Sequence, residues 1–371
     1  MKIKKIGGPS VIMSNPLSKH NYFAWPSAVR LQNGRIAVGA SGYRLHHVCP
    51  FGKSVLSCSE DEGESYTLPA PVIDTVLDDR DVGLCPFGES GLIFTSFNNT
   101  TEFQRTYLER HPEEAAYRAA YLDSVTQEEQ DAVLGNTFRV SHDCGVTFGP
   151  LYRSPVTSPH GPVELKDGTI LWVGRGRENG EDRIEAYAID PENGNAAFRG
   201  AIENIEDYLS CEPHTIQLKD GSLLCHIRVQ HKGKGASQVG PHREQPRNGS
   251  KTLFTIYQSR SLDGGFSWSV PVPVLDPLDG SPPHLLQLED GTLICTYGHR
   301  DHLPYGIRVM VSCDNGESWE TNLPLYENNV SSDLGYPATV VLKDGSFLTV
   351  FYAHPEEGSA VILQQKWRLE K

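Results

Sequence analysis

Positive charge is scarce in this chain. It has 33 Lys and Arg against 47 Asp and Glu, a formal net charge of −14. Nucleic-acid binding needs clustered cations to neutralise phosphates, so no nucleic-acid partner is expected. A small anion held by a few local arginines remains compatible with that balance. Long apolar runs are missing as well. No stretch approaches the ~18 residues of a membrane span, so no membrane partner is expected. The N-terminal MKIKKIGGPSVIMSNP has cations but no apolar h-region, which predicts a protein retained in the cytoplasm. The eight cysteines never form a Cys-x-x-Cys pair. Zinc-ligand spacing is therefore absent, and reduced, buried thiols are expected. No cofactor and no metal are expected.

Turn residues, by contrast, are plentiful, with 35 Gly and 25 Pro, as an all-β chain of short strands requires. One phrase recurs: an apolar strand, an Asp-Gly or Asn-Gly turn, and a second apolar strand. It appears as PSAVRLQNGRIAVGA (26–40), GPVELKDGTILWVGR (161–175), EPHTIQLKDGSLLCHIR (212–228), PPHLLQLEDGTLICTYG (282–298) and YPATVVLKDGSFLTVFY (336–352). A weaker copy is VGLCPFGESGLIFTSF (82–97). Asn, Asp and Gly tolerate the backbone angles of tight hairpins, so each copy predicts a β-hairpin.

A second phrase, S-x-D-x-G-x-[ST]-aromatic, follows most hairpins: SEDEGESY (59–66), SHDCGVTF (141–148), SLDGGFSW (261–268) and SCDNGESW (312–319). Its Asp can bond turn amides, its Gly supplies positive φ, and its aromatic can bury between sheets. Six hairpins, each completed by two outer strands, predict a six-bladed β-propeller of four-stranded antiparallel blades in one domain, residues 1–371. The last blade is short of strands, and the N-terminal KIKKIGGPSVIM is expected to close it, which removes an open edge. Residues 101–134 predict a helical insertion, and 230–250 a long mobile loop.

Propeller pockets collect the ends of inner strands. The polar residues flanking the hairpins are therefore the candidates: Arg44, His46 and His47 after the first, and Asp79, Arg80 and Asp81 before the second. His160 and Arg175 flank the third, Glu212, His214 and Arg228 the fourth, His284, His299 and Arg300 the fifth, and Tyr336 the sixth. Arg and His at such places are costly unless solvated or paired. Trp25 is a candidate for stacking on a sugar face or filling the core.

The second phrase resembles the Asp box of sialidases and related propellers, where its role is structural. Exo-α-sialidases also carry a Glu, an L-x-D-G turn, and an Arg sixteen residues after the Glu. Glu212, Leu218-Lys219-Asp220-Gly221 and Arg228 reproduce that spacing, and Tyr336 stands eight residues before Asp344-Gly345, as the sialidase Tyr does. The resemblance implies Tyr336 as nucleophile, Glu212 as its base and Arg228 as a carboxylate ligand. A neutral Tyr suits an anomeric carbon that carries a carboxylate, because an anionic nucleophile would be repelled. Tyr needs a neighbouring base, and Arg fits both carboxylate oxygens.

Two departures stand out. The sialidase Arg-Ile-Pro of the first hairpin is Ala24-Trp25-Pro26 here, so one arginine is missing, with Arg80 as a candidate replacement. The loop that holds the sialidase acid is GYRLHHVCPFGK (42–53), without Asp or Glu. His46 or His47, or Asp79 or Asp81 from the next blade, are the alternatives. Arg300 or Arg308 could supply the remaining arginine. The expected activity is a glycoside hydrolase resembling exo-α-sialidase, acting on a small, anionic carbohydrate. The alternatives are a lyase or hydrolase for a uronate or rhamnoside, and a non-catalytic sugar-binding propeller. Homo-oligomer formation is compatible with all three.

Overall fold

The computed structural model describes residues 1–178, 181–231, 254–275, 280, 282–300, 302–356 and 360–370, without the side chains of 177, 178, 181 and 231. Most of the segment 230–250, from 232 onward, therefore lies outside the described residues. The fold is a six-bladed β-propeller, six four-stranded antiparallel sheets taken in chain order.

The inner hairpins form where the repeated phrase predicts them. In five of them the turn Gly (34, 168, 221, 291 and 345) has φ between 76° and 92°. The preceding Asp or Asn accepts a hydrogen bond from the amide two residues on, as in Asp220 Oδ1 with Ser222 N at 2.9 Å and Asn33 Oδ1 with Arg35 N at 3.0 Å. That local bond explains why this position is Asp or Asn.

The second phrase is also a self-bonded turn. Asp263 accepts from the Ser267 amide and hydroxyl and from Ser261 Oγ, while Ser261 Oγ accepts from the Gly265 amide. Asp61, Asp143 and Asp314 repeat the pattern. The aromatic that ends each phrase packs against a neighbouring blade or the adjoining core. The Tyr66 hydroxyl donates to Gln364 in the last blade, and Trp319 Nε1 donates to Gln258 in the fourth.

Hydrophobic burial is distributed around the ring. Six clusters of buried apolar residues each span one interface between neighbouring blades, for example Phe138 with Trp172 between blades 2 and 3, and Leu224 with Leu293 between blades 4 and 5. No blade buries its faces alone, so the ring is stable only as a whole. Near the axis the approach is tight. A Cβ on Gly83 would sit 2.3 Å from the Gly161 nitrogen, so the blade 2–blade 3 contact requires glycine.

Strand Lys2–Met13 pairs antiparallel with Val361–Glu370 and forms the outer edge of the last blade. The insertion in blade 2 is helical as expected: α1 Thr101–Arg105, a 3₁₀ turn Leu108–Arg110, α2 Pro112–Ser124 and α3 Gln127–Val133. Thr126 and Glu129 form a capping box at the start of α3. The insert is docked on the body. Arg118 is fully buried and donates to the Val48 carbonyl, and Phe51 packs against Tyr117 and Tyr121. No helix among the described residues is long and apolar enough to cross a membrane.

Removing residues 1–13 leaves the Val361–Glu370 strand with an unpaired edge. The expected outcome is a lower thermal midpoint and a concentration-dependent shift to larger species in size-exclusion chromatography. An unchanged midpoint and a monomeric profile would show the strand to be dispensable.

Candidate functional site

The site is built from one backbone irregularity repeated around the ring. Trp25, Asp81, Glu212 and Tyr336 have φ of 53°, 47°, 48° and 51°. Each stands at a slip in the register of its inner hairpin, between Ala24 and Ser27, Arg80 and Gly83, Cys211 and His214, and Gly335 and Ala338. Each also lies six residues before the residue that opens the turn: Leu31, Phe87, Leu218 and Leu342. Non-glycine residues in this left-handed region are uncommon and strained, and they cluster where a bulge re-aims a side chain. The equivalent positions in blades 3 and 5 are Pro159 and Pro282.

Three of these bulges face one another. The Tyr336 hydroxyl donates to Glu212 Oε1 at 2.6 Å, and Arg228 Nη1 donates to Glu212 Oε2 at 2.5 Å. Burial, then the charges of Glu212 and Asp81, push the Tyr336 phenol well above its ordinary value, so it is protonated at rest. Burial alone would raise the Glu212 carboxyl. The Arg228 guanidinium and the bonds from Arg228 and Tyr336 outweigh burial and hold it below its ordinary value. Asp81 is pushed up to about 7, chiefly by burial, with Arg80 opposing and Glu212 adding to the shift. Its Oδ1 is buried and has no hydrogen-bond partner. Asp81, Phe97, Thr157, Ser158, Arg175 and Glu212 line a common cavity. The guanidinium carbons of Arg228 and Arg300 lie 4.5 and 5.7 Å from the Phe254 ring centre, and both cations act on Glu212, Arg228 the more strongly.

His47 lies on another wall. Its Nδ1 is 3.2 Å from Asp333 Oδ1 and 3.1 Å from the Tyr22 hydroxyl. Burial, the first influence, lowers its proton affinity despite Asp333. Asp333 also accepts from the hydroxyls of Tyr22 and Tyr352 and contacts His354 Nε2. Burial opposes its ionisation, but the two histidines and their hydrogen bonds outweigh that and hold it well below the carboxylate range. The Tyr352 ring is 5.9 Å from that of Tyr336, so this network abuts the Tyr336–Glu212 pair.

Several expected site residues have other roles. His46 turns away from the pocket to Glu114 of the insert, 2.8 Å from its Nε2, because the insert supplies carboxylates there. Arg44 is fully buried and donates to Asp78, Ser41 and the His47 carbonyl. It neutralises a buried carboxylate and leaves nothing for a ligand. Trp25 is 1% exposed, with the guanidinium of Arg80 4.1 Å and that of Arg44 4.8 Å from its ring centre. It fills the wall and offers no face to a sugar. Arg80, which also donates to the His47 carbonyl, buttresses that wall. His160, His214 and His284 pack on one another, with ring centres 4.4 to 5.2 Å apart. His214 Nδ1 accepts from the Leu285 amide and His284 Nδ1 from the Thr339 amide. Burial lowers all three, His284 to about 3, and they are neutral packing around the channel. Asp79 is held by Thr75 and Asn98. Arg308 faces the outer strand through Asn322 and Glu327, which leaves Arg300 as the second arginine.

Asp333 and Tyr352 escaped the sequence reading. Asp333 lies in a loop with no repeat position to mark it. The sixth-residue-before-the-turn register would have selected Asp81 over Asp79 and His46.

No protein-family model matches the chain, and no curated protein matches it. Solved structures do. A protein of unknown function from Dyadobacter fermentans is 18% identical, with a TM-score of 0.74 over 99% of each chain. The NanB sialidase of Streptococcus pneumoniae is 12% identical, with a TM-score of 0.62 over 96% of this chain and 70% of that one. The α-L-arabinanase of Penicillium chrysogenum is 13% identical, with a TM-score of 0.61 over 99% and 98%. These likenesses establish the propeller fold, and chemistry must be argued from the site.

Asp81 keeps its proton in the folded chain up to about 7, but an unfolded Asp ionises near ~3.9. Between those values the folded state binds the extra proton, so Asp81 makes stability fall as pH rises. Asp81→Asn removes that loss. The variant is expected to be more stable than the parent by roughly 2–4 kcal/mol at pH ~8, with the difference vanishing toward pH ~4. Asp79, also raised to about 7, cancels because both proteins contain it. Urea denaturation at the two pH values measures this, and equal differences at both would refute it.

Proposed function

We propose that this propeller is a glycoside hydrolase of the exo-sialidase kind, which releases a terminal acidic sugar from a small glycan. The hydrogen bond from Tyr336 to Glu212, across 124 residues of sequence, carries the reading. A protonated phenol is a poor nucleophile, and an ionised carboxylate 2.6 Å away can take its proton as the bond to the anomeric carbon forms. Arg228 and Arg300 bind the sugar carboxylate. Asp81, protonated until about pH 7, gives its proton to the leaving oxygen. Water then attacks the glycosyl–Tyr336 intermediate, with Asp81 taking a proton from the water and Glu212 returning one to the phenolate.

A second reading is favoured by one observation, the nearness of a protonated Asp81 to an ionised Glu212 on equivalent bulges. Such a pair meets the two-carboxylate requirement for hydrolysing a neutral sugar, and Tyr336 would then only position Glu212. The arabinanase likeness fits that alternative.

The two readings differ in how much Tyr336 matters. On an aryl sialoside, Tyr336→Phe is expected to lower kcat by roughly 10²- to 10⁴-fold. Activity should be flat between the Glu212 ionisation, below its ordinary 4.5, and about 7, and should fall above as Asp81 loses its proton. Asp81→Asn should abolish that alkaline limb together with most of the rate. Release from an aryl arabinofuranoside but not from the sialoside, with Tyr336→Phe nearly as active, would establish the second reading instead. Tight binding of acidic sugars without turnover of either would reduce the propeller to a lectin.

A further inference from the structure

The loop that follows the first hairpin points its two histidines in different directions. His47 joins Asp333, and His46 meets the helical insert. There the rings of His46 and His111 lie 3.4 Å apart and parallel within 3°. His111 Nδ1 stands 3.7 Å from Glu113 Oε1, and His46 Nε2 stands 2.8 Å from Glu114 Oε2. One ligand atom each from His46, His111 and Glu113 falls within 4.8 Å of the others. We propose that these three residues bind one divalent transition-metal ion of the zinc class, with Glu114 as a fourth ligand or as the carboxylate that orients His46.

The donor set is the first argument. Two imidazoles and a carboxylate suit zinc and its neighbours in the transition series, whereas calcium and magnesium take oxygen. Spacing is the second. One donor atom from each of His46, His111 and Glu113 lies within 4.8 Å of the others, a cluster that side-chain rotation can close onto one ion with Zn–N distances of ~2.0–2.1 Å. The stacked rings must turn out of their parallel arrangement for both in-plane lone pairs to meet on that ion. Glu114, when it bonds the nitrogen of His46 opposite the metal, completes the carboxylate–histidine–metal arrangement that fixes ring orientation. The ligands come from the 42–53 loop and from the start of α2, so no sequence spacing announces them. The ion would clasp the insert to the loop whose next residue forms the pocket wall.

The test uses the full-length protein, stripped with a chelator and titrated with Co²⁺ alone, with visible ligand-field absorption as the readout, followed by displacement with Zn²⁺. One equivalent is expected, with an absorption band typical of nitrogen and oxygen ligands. Excess Zn²⁺ should raise the thermal midpoint. His111→Ala should abolish the band, and Glu114→Gln should weaken zinc binding by roughly 10-fold or more. Glu113 is solvent-exposed, so Glu113→Gln keeps the fold even where His111→Ala does not, and it too should lose the band. No band with the parent protein, or a band unchanged in Glu113→Gln and His111→Ala, overturns the proposal. Neither readout depends on turnover.

Discussion

The left-handed backbone at the start of the inner strands is the constraint on which the site depends. In a regular strand, Asp81, Glu212 and Tyr336 would alternate with their neighbours and point into the sheets, as strand geometry requires. The bulge breaks that alternation in each, and Glu212 meets Tyr336 and shares a cavity with Asp81. Pro follows the bulge residue at positions 26, 213 and 337, and its missing N–H fits a place where the ladder is interrupted. Strain of this kind persists only where the surroundings impose it. Here they are the six inter-blade cores and the register of the hairpins on either side of each bulge.

Charge is divided over the site in a way that gives neighbouring acids different states. Glu212 is beside a guanidinium and is ionised, whereas Asp81 has burial and a nearby anion and keeps its proton up to about 7. Asp333 is as deeply buried but is surrounded by Tyr22, Tyr352, His47 and His354, and it is ionised for that reason. The difference lies in the donors each carboxylate faces, not in depth.

The fold was legible because its signals are local. The Asp and Gly of each turn bond within two or three residues, so the hairpins, their number and the closing N-terminal strand could be read from repeats. That Glu212, Arg228 and Tyr336 meet was legible for a related reason, since their spacing to a turn fixes their place on a blade. His46 and Arg44 were misread because their partners, Glu114 and Asp78, come from other segments that no repeat aligns. Trp25 occupies a site position by register but is covered by two guanidiniums, which only packing reveals. His160, His214 and His284 all stand near the start of a hairpin and do converge, yet their rings pack on one another, and His214 and His284 accept from backbone amides.

The −14 surface and the arginines at the axis work against each other over distance. At physiological ionic strength charges fade beyond about 8 Å. Under the proposed function, an acidic sugar meets a net-negative exterior before it meets Arg228 and Arg300. On that reading the net charge of the chain slows encounter, and discrimination resides in the contacts made inside the pocket and the residence time they give.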